Sequence, residues 1–313
     1  MIRINGSEQM KDSPMFRIRF SQVIIARLFC FLLLLCPVIT DAAEMVEIAA
    51  PEQVGIGKPF LVRITSRYSL DKLTVTWDGK AIMPSVLEKD GKYSAVVILG
   101  VGLKNEPGTY SLKVAASLWG NWRRFSKPVK VVETIFQHET VTVAPKMVRP
   151  PKEVEARIQR EREAAIAALN TFSPQRHWEI PFSRPVKGKM LSRFGLHRVF
   201  NGHTKSRHKG LDFRAWEGTP IHSMAPGTVL LVGNFYYAGN CAFIDHGNGL
   251  VSLSCHMSKV LIKKGDIVES GQKIGLSGAT GRVNGAHLHL ATFVQGKVVD
   301  PEPFFDGTLE LIK

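Results

Sequence analysis

The chain of 313 residues predicts a mainly β protein in two parts, an N-terminal immunoglobulin-like β-sandwich and a second strand-rich domain, joined by one linker helix. Three observations carry this reading. Between Met45 and about Glu133, short alternating apolar runs are broken by turn residues with no helical period between them. At about 152–170 the apolar residues move onto a single helical stripe. From Trp178 onward the chain is punctuated by glycine and rich in strands again, without a sustained helical period.

The leader comes first. Arg17, Arg19 and Arg27 precede an apolar run from Leu28 to Ile39, followed by Thr40-Asp41-Ala42-Ala43. A basic flank, about a dozen apolar residues and then small residues form a secretory signal over 1–42. Retained uncleaved, the same run would be an N-terminal anchor; it is short for a span of ~20 residues, and Pro37 interrupts its end. The expectation is export to the periplasm or cell envelope of a bacterium, with membrane tethering if the leader stays.

In the sandwich, expected over 45–133, Phe60–Thr65 and Leu73–Trp77 read as strands, and Asp78-Gly79 as a hairpin turn into Lys80–Met83. Tyr93–Leu99 and Tyr110–Ala115 follow, punctuated by Pro107-Gly108. Strands at this spacing without helices suit a sandwich. Nothing in it is catalytic in type. Trp119, Trp122, Arg123 and Arg124 read as a strand end packed on the sandwich, with a polymer-binding patch as the alternative.

Residues 134–180 form the linker. Pro150-Pro151 open a helix whose stripe is Val154, Ile158, Ala165 and Leu169, and Asn170 is its stop. It serves as a spacer, as a strut fixing the domain separation, or as a cover over the second domain's groove, and the sequence does not choose.

Composition bounds the partners. Hydrophobic residues make up 44% and charged ones 22%, so cores can be buried and global disorder is excluded. The formal charge is +14, and +12 without residues 1–42. That excess favours anionic envelope polymers or lipid head groups; export removes nucleic acid as a partner. Beyond the leader only Cys241 and Cys255 remain, flanking the turn His246–Gly249; bonded and free states both stay open.

Nine of the ten histidines lie between His177 and His289. In Gly285-Ala-His287-Leu-His289, an extended backbone with Leu288 in the core projects both imidazoles on the other face. His208-Lys-Gly-Leu-Asp212 adds a pair that can share a metal only if the segment curls, which Gly210 permits. His256 follows the hairpin 242–253. Two histidines and a carboxylate leave zinc's fourth position open, the catalytic rather than the structural arrangement. Two further imidazoles can then move protons. There is no His-Glu-x-x-His helix.

The motifs Ser192-Arg-Phe-Gly195, His208-Lys-Gly-Leu-Asp212-Phe213, Ala225-Pro-Gly-Thr-Val229, Ile244–Gly249, His256-Met-Ser258, Gly271–Gly275, Gly278–Gly281 and His287-Leu-His289 occur in this order. Over about 182–305 they resemble the lysostaphin/LytM-like zinc metallopeptidases. The resemblance implies a compact antiparallel β domain with a groove, here 181–307, and a D,D-endopeptidase acting on peptidoglycan cross-links with one zinc per chain. By position, His208, Asp212 and His289 correspond to the metal ligands and His256 and His287 to the catalytic pair. Ser254, Ala286 and Leu290-Ala291 depart from the family pattern around the ligands, so they bear on rate and specificity more than on metal binding. The loop 196–207, with Arg198 and Asn201, would rim the groove, either as a substrate contact or as a solvated loop. The alternative function is a non-enzymatic regulator that activates a cell-wall amidase.

Overall fold

The computed structural model describes residues 45–141, 150–200, 202 and 204–309; the leader at 1–42 and Asn201 lie outside them. Strands dominate, and one long helix runs through Lys152–Leu169. No helix among the described residues is long and apolar enough to cross a membrane.

The N-terminal part is two sheets face to face. One orders Glu47–Ala49, Pro59–Ser66, Lys92–Gly100 and Leu87–Lys89; the other orders Gln53–Gly55, Asn121–Val132, Gly108–Leu118, Lys72–Trp77 and Lys80–Ile82. Val62, Ile64, Val97 and Leu99 of the first meet Val75, Trp77, Leu112 and Val114 of the second in one core. Each such side chain contributes about 1.5–3 kcal/mol by burial. Trp77 also donates its indole N–H to the Gly100 carbonyl at 3.0 Å, so its one polar atom is satisfied.

The two-residue hairpins of this part turn in the same way. Asp78 and Gly79 both take positive φ, 45° and 74°, as a two-residue loop between strands demands. Trp119 and Gly120 do the same at 50° and 75° between the paired Leu118 and Asn121. A bulky side chain in the left-handed region costs about 1–2 kcal/mol. Here it is held by Asp71, whose carboxylate accepts from Gly120 N–H at 3.2 Å, and by the Tyr68 ring, 4.8 Å from that of Trp119. The turn sends the indole outward, so Trp119 is 60% and Trp122 47% exposed. The strand end does not pack its tryptophans into the sandwich.

The apolar runs Phe60-Leu61-Val62 and Ala95–Leu99 are too continuous for strands buried on one face. Leu61 and Ile98 in fact face the other way, into a cluster with Trp178, Val294, Val299 and Phe304. Lys58 Nζ bonds the buried Asp300 carboxylate at 2.6 Å across this seam, and Gln295 Nε2 donates to Ile98 O at 2.9 Å. The described residues therefore form one compact unit.

The C-terminal sheet follows the antiparallel path Met190–Ser192, Leu211–Arg214, His287–Val294, Leu250–Val260, Gly239–Asp245, Gly227–Phe235 and Ile267–Val268. Phe213, Ile244, Met257, Leu288 and Leu290 fill its core. Cys241 and Cys255 sit on neighbouring strands as buried free thiols, and burial pushes the Cys241 thiol up to about 12.

The segment before this sheet does not run free as a spacer. The strand His138–Val141 joins His197–Phe200 in parallel, and Thr204–Arg207 completes a small three-stranded sheet. The helix Lys152–Leu169 docks Ala165 and Leu169 beside Phe243 and Leu231. Its Arg157 donates to Asn234 O at 2.8 Å, and its Glu161 accepts from Tyr236 N–H at 2.7 Å. These bonds brace the tip of the hairpin 227–245.

Candidate metal and catalytic site

Strand register places the site residues. Asp212 lies directly opposite His289, with Phe213 opposite Leu288 and Arg214 opposite His287. Leu288 and Phe213 turn into the core, so the odd-numbered histidines and Asp212 share the other face. Cys255 pairs with His289 on the far side, which brings His256 to the same end of the groove.

His208 arrives from outside the sheet. Its N–H donates to Leu196 O at 2.9 Å and its carbonyl accepts from Gly195 N–H at 2.8 Å, so the chain bends at Gly210 before the strand Leu211–Arg214 begins. Gly210 does not need a positive φ for this. It is needed for room: a Cβ there would run into the Leu290 carbonyl and lie 2.7 and 2.8 Å from Cε1 and Nε2 of His289.

His208, Asp212 and His289 bring one donor atom each within 4.8 Å of one another. His208 Nε2 is 3.0 Å from Asp212 Oδ1 and 3.1 Å from His289 Nδ1, and His289 Nδ1 is 2.7 Å from the same oxygen. The Nδ1 of His208 donates to Arg193 O at 2.8 Å. A carbonyl can only accept, so the proton of neutral His208 is committed to Nδ1, and its Nε2 turns a lone pair inward. One carboxylate and inward lone pairs from two imidazoles make a donor set that suits a divalent cation and fits zinc. Burial would raise the Asp212 carboxyl, but the His208 and His289 imidazoles against it pull it well below the usual carboxylate range.

His256 and His287 stand beside this cluster with ring centroids 5.0 Å apart; that of His256 is 5.9 Å from His289. His256 Nδ1 donates to Thr280 O at 2.9 Å, and His287 Nδ1 donates to Gly285 O at 2.8 Å. Both therefore keep Nε2 free of that proton, and His287 Nε2 lies 3.7 Å from Asp212 Oδ1. Burial, then the neighbouring His289 and His287, press the His256 pKa down to about 3, so it is neutral at ordinary pH. His256 also holds φ at 67°, a conformation uncommon outside glycine and one that clusters at functional sites.

The five residues line a groove of about 490 Å³. Arg198, expected at its rim as a substrate contact, reaches inward. Its Nη2 donates to Asp212 Oδ2 at 3.0 Å and to Ser192 Oγ at 2.6 Å, while Nε donates to Glu139 at 3.2 Å. One oxygen of Asp212 is thus occupied, leaving Oδ1 for the histidine cluster. Arg207, Lys209 and Arg282 add further positive charge to the walls.

Among the groove residues that sequence motifs did not make legible are Glu139, Tyr237 and Arg282. Glu139 comes from the segment read as linker. Tyr237 carries the Arg282 guanidinium 4.6 Å over its ring, and its carbonyl accepts from Arg282 N–H at 2.9 Å. The one available signal was glycine. A Cβ on Gly281 would come within 2.6 Å of Tyr237 O, marking a close backbone approach between the two loops.

Residues 206–301 match the model of peptidase family M23. The peptidoglycan DD-endopeptidase ShyA of Vibrio cholerae is 47% identical over 93 residues, which are 30% of this chain and 22% of that protein. An uncharacterized metalloprotease of Buchnera aphidicola is 39% identical over 126 residues, 40% of this chain and 33% of the relative. The chain thus spans a third or less of the length of these relatives. A crystal structure of a putative peptidase M23 from Pseudomonas aeruginosa superposes with a TM-score of 0.59 at 28% identity, covering 78% of this chain and 92% of that one. The sheet described above, with its groove and its His-Asp-His cluster, is accordingly a peptidase family M23 domain of the LytM type carried by this chain at residues 206–301.

Proposed function

We propose that the chain is an exported zinc metalloendopeptidase that hydrolyses peptide cross-links of bacterial peptidoglycan, as a D,D-endopeptidase with one zinc held by His208, Asp212 and His289. The convergence of those three donors on the floor of a groove, with two further imidazoles beside them, carries the reading. The DD-endopeptidase activity named for ShyA supports the bond class. Export rests on the basic-then-apolar leader, Arg17 to Ile39.

Bound to the three donors, zinc supplies Lewis acidity: it polarises a carbonyl and acidifies water. The protein's own groups do the rest. His256, neutral and anchored through Nδ1, presents Nε2 as the acceptor of the proton of the attacking water. The proton taken up by His256 passes on to the leaving amine, and His287, anchored through Nδ1 to Gly285 O, turns Nε2 into the groove, where with a proton on it that nitrogen hydrogen-bonds the developing charge. Asp212 stays ionised and is oriented by Arg198, which holds its second oxygen.

The test is digestion of intact sacculi by the purified chain, with released muropeptides resolved by mass, with chelator and with zinc restored. Cross-linked dimers should disappear only in the zinc-replete sample. A zinc-loaded protein that leaves every dimer intact refutes the endopeptidase and moves the function to amidase activation.

A further inference from the structure

The sandwich carries a feature that neither its stability nor the groove explains. The fold places Trp119 in a left-handed turn that disfavours bulky residues, yet leaves the ring 60% exposed beside Trp122 at 47%. An aromatic that served packing would be covered. This one is braced from behind by Tyr68 and by Asp71, which engages both Gly120 N–H and Ser117 Oγ, and its face is left to solvent.

The surroundings specify a partner. Trp122 lies opposite Ser117, and Ser117 opposite Lys72; one step along the sheet, Arg124 lies opposite Ala115, and Ala115 opposite Thr74. Strand alternation puts these six side chains on the outer face of the five-stranded sheet, because Ala116 and Leu73 in the row between them, and Phe125, Val114 and Val75 in the next, face the core. On that face the strands Lys72–Trp77, Gly108–Leu118 and Asn121–Val132 place Lys72, Lys113, Arg124 and Lys130 and no Asp or Glu. Small residues keep the face flat, and tryptophan stands at its end. Flat, cationic and aromatic, the face is complementary to a polymer that offers ring faces and carboxylates along its length.

We infer that the outer face of the five-stranded sheet, with its Trp119–Arg124 hairpin, is a second, non-catalytic binding surface for the glycan strands of the wall polymer. The sugars stack on the two indoles, and the carboxylates of the attached stem peptides lie along Arg124, Lys113 and Lys72. This rests on the proposed substrate: the same polymer whose peptides enter the groove is held by the sandwich, which raises the effective concentration of cross-links at the site. Binding should weaken with salt, as expected for exposed charges.

The experiment uses the full chain and the double variant Trp119→Asn/Trp122→Ala. Asn suits the turn better than Trp, so the hairpin persists, which an unchanged or higher Tm verifies. In chelator, pelleting with purified sacculi should weaken about tenfold or more in the variant. With zinc, release of peptide from sacculi should slow, while soluble cross-linked dimers are cut at the wild-type rate. Unchanged pelleting overturns the inference, and so does a loss confined to phosphatidylglycerol vesicles, which would make lipid the occupant. If the wild-type protein cuts no soluble dimer, the endopeptidase reading falls, and the pelleting result still decides this one.

Discussion

Replacing Gly210 with Ala tests whether the site depends on the close approach of two strands rather than on its ligands alone. Van der Waals contact for a Cβ begins at 3.4 Å, so Cε1 and Nε2 of His289, at 2.7 and 2.8 Å, would have to withdraw by about 0.6–0.7 Å. The alternative is a shift of Gly210 itself, and Leu211 next to it is paired with Leu290, so Asp212 would move instead. Either movement exceeds the ~0.2 Å within which metal–ligand distances are held. Overpacking of this kind costs about 1–3 kcal/mol of stability. Zinc affinity should fall by about 10–100-fold, the range seen when ligand orientation is disturbed, and kcat/KM by about 100-fold. Competition against a chromophoric zinc chelator reads the first, and hydrolysis of cross-linked dimers the second. Gly218→Ala is the control. Gly218 has φ at +81° and nothing within 4 Å, so that change should lower Tm without touching zinc affinity. A Gly210→Ala protein whose zinc affinity and kcat/KM stay within about threefold of wild type would refute the argument.

Further outcomes follow from the same geometry. His287→Gln removes a proton carrier that is not among the three clustered donors, so kcat should fall by about 100-fold or more with zinc content unchanged, as metal analysis of the purified variant would show. His246 is fully buried between Pro226 O and Ser252 Oγ, and burial lowers its pKa to about 4. The folded protein then binds fewer protons than the unfolded chain between about 4 and 6.5, so stability is level above that window and falls with decreasing pH by about 1.4 kcal/mol per unit, about 3 kcal/mol in all. Urea titrations across pH should show this slope reduced by one proton in His246→Gln. Lys58→Met strands the buried Asp300 carboxylate with Glu302 N–H as donor, at a cost of about 1–2 kcal/mol because Lys58 itself is partly solvated. A denaturation midpoint equal to wild type would contradict that.

What the sequence made legible was local. Alternation alone puts His287 and His289 on one strand face with Leu288 behind them, and Asp78-Gly79 declares its turn. The helix stripe of Val154, Ile158, Ala165 and Leu169 is equally plain, although which surface it covers depends on a strand hairpin about seventy residues later. The tryptophans of the Trp119 hairpin misled for a related reason: hydrophobicity argues for burial, whereas the two positive φ values of the turn decide the direction of the ring. The seam between sandwich and C-terminal sheet was present in the sequence as unbroken apolar runs at 60–62 and 95–99. Read by period alone, those runs show burial without showing against what.

The groove's second layer was illegible because it is assembled by register across the chain. Parallel pairing sets Glu139 beside Arg198, and that pairing joins the segment read as linker to the strand His197–Phe200. Arg198 in turn spans Glu139, Ser192 and Asp212. Each contact needs the other two, since a guanidinium aimed at Asp212 alone would be free to rotate toward solvent. Glu139 therefore reaches Asp212 by way of Arg198, and the orientation of Asp212 depends on a strand that no ligand motif includes. A site recognised by its five histidine and aspartate positions is complete in chemistry and incomplete in geometry: the ligand types fix what can bind, and the shell of Arg193 O, Thr280 O, Gly285 O and Arg198 fixes which lone pairs face it.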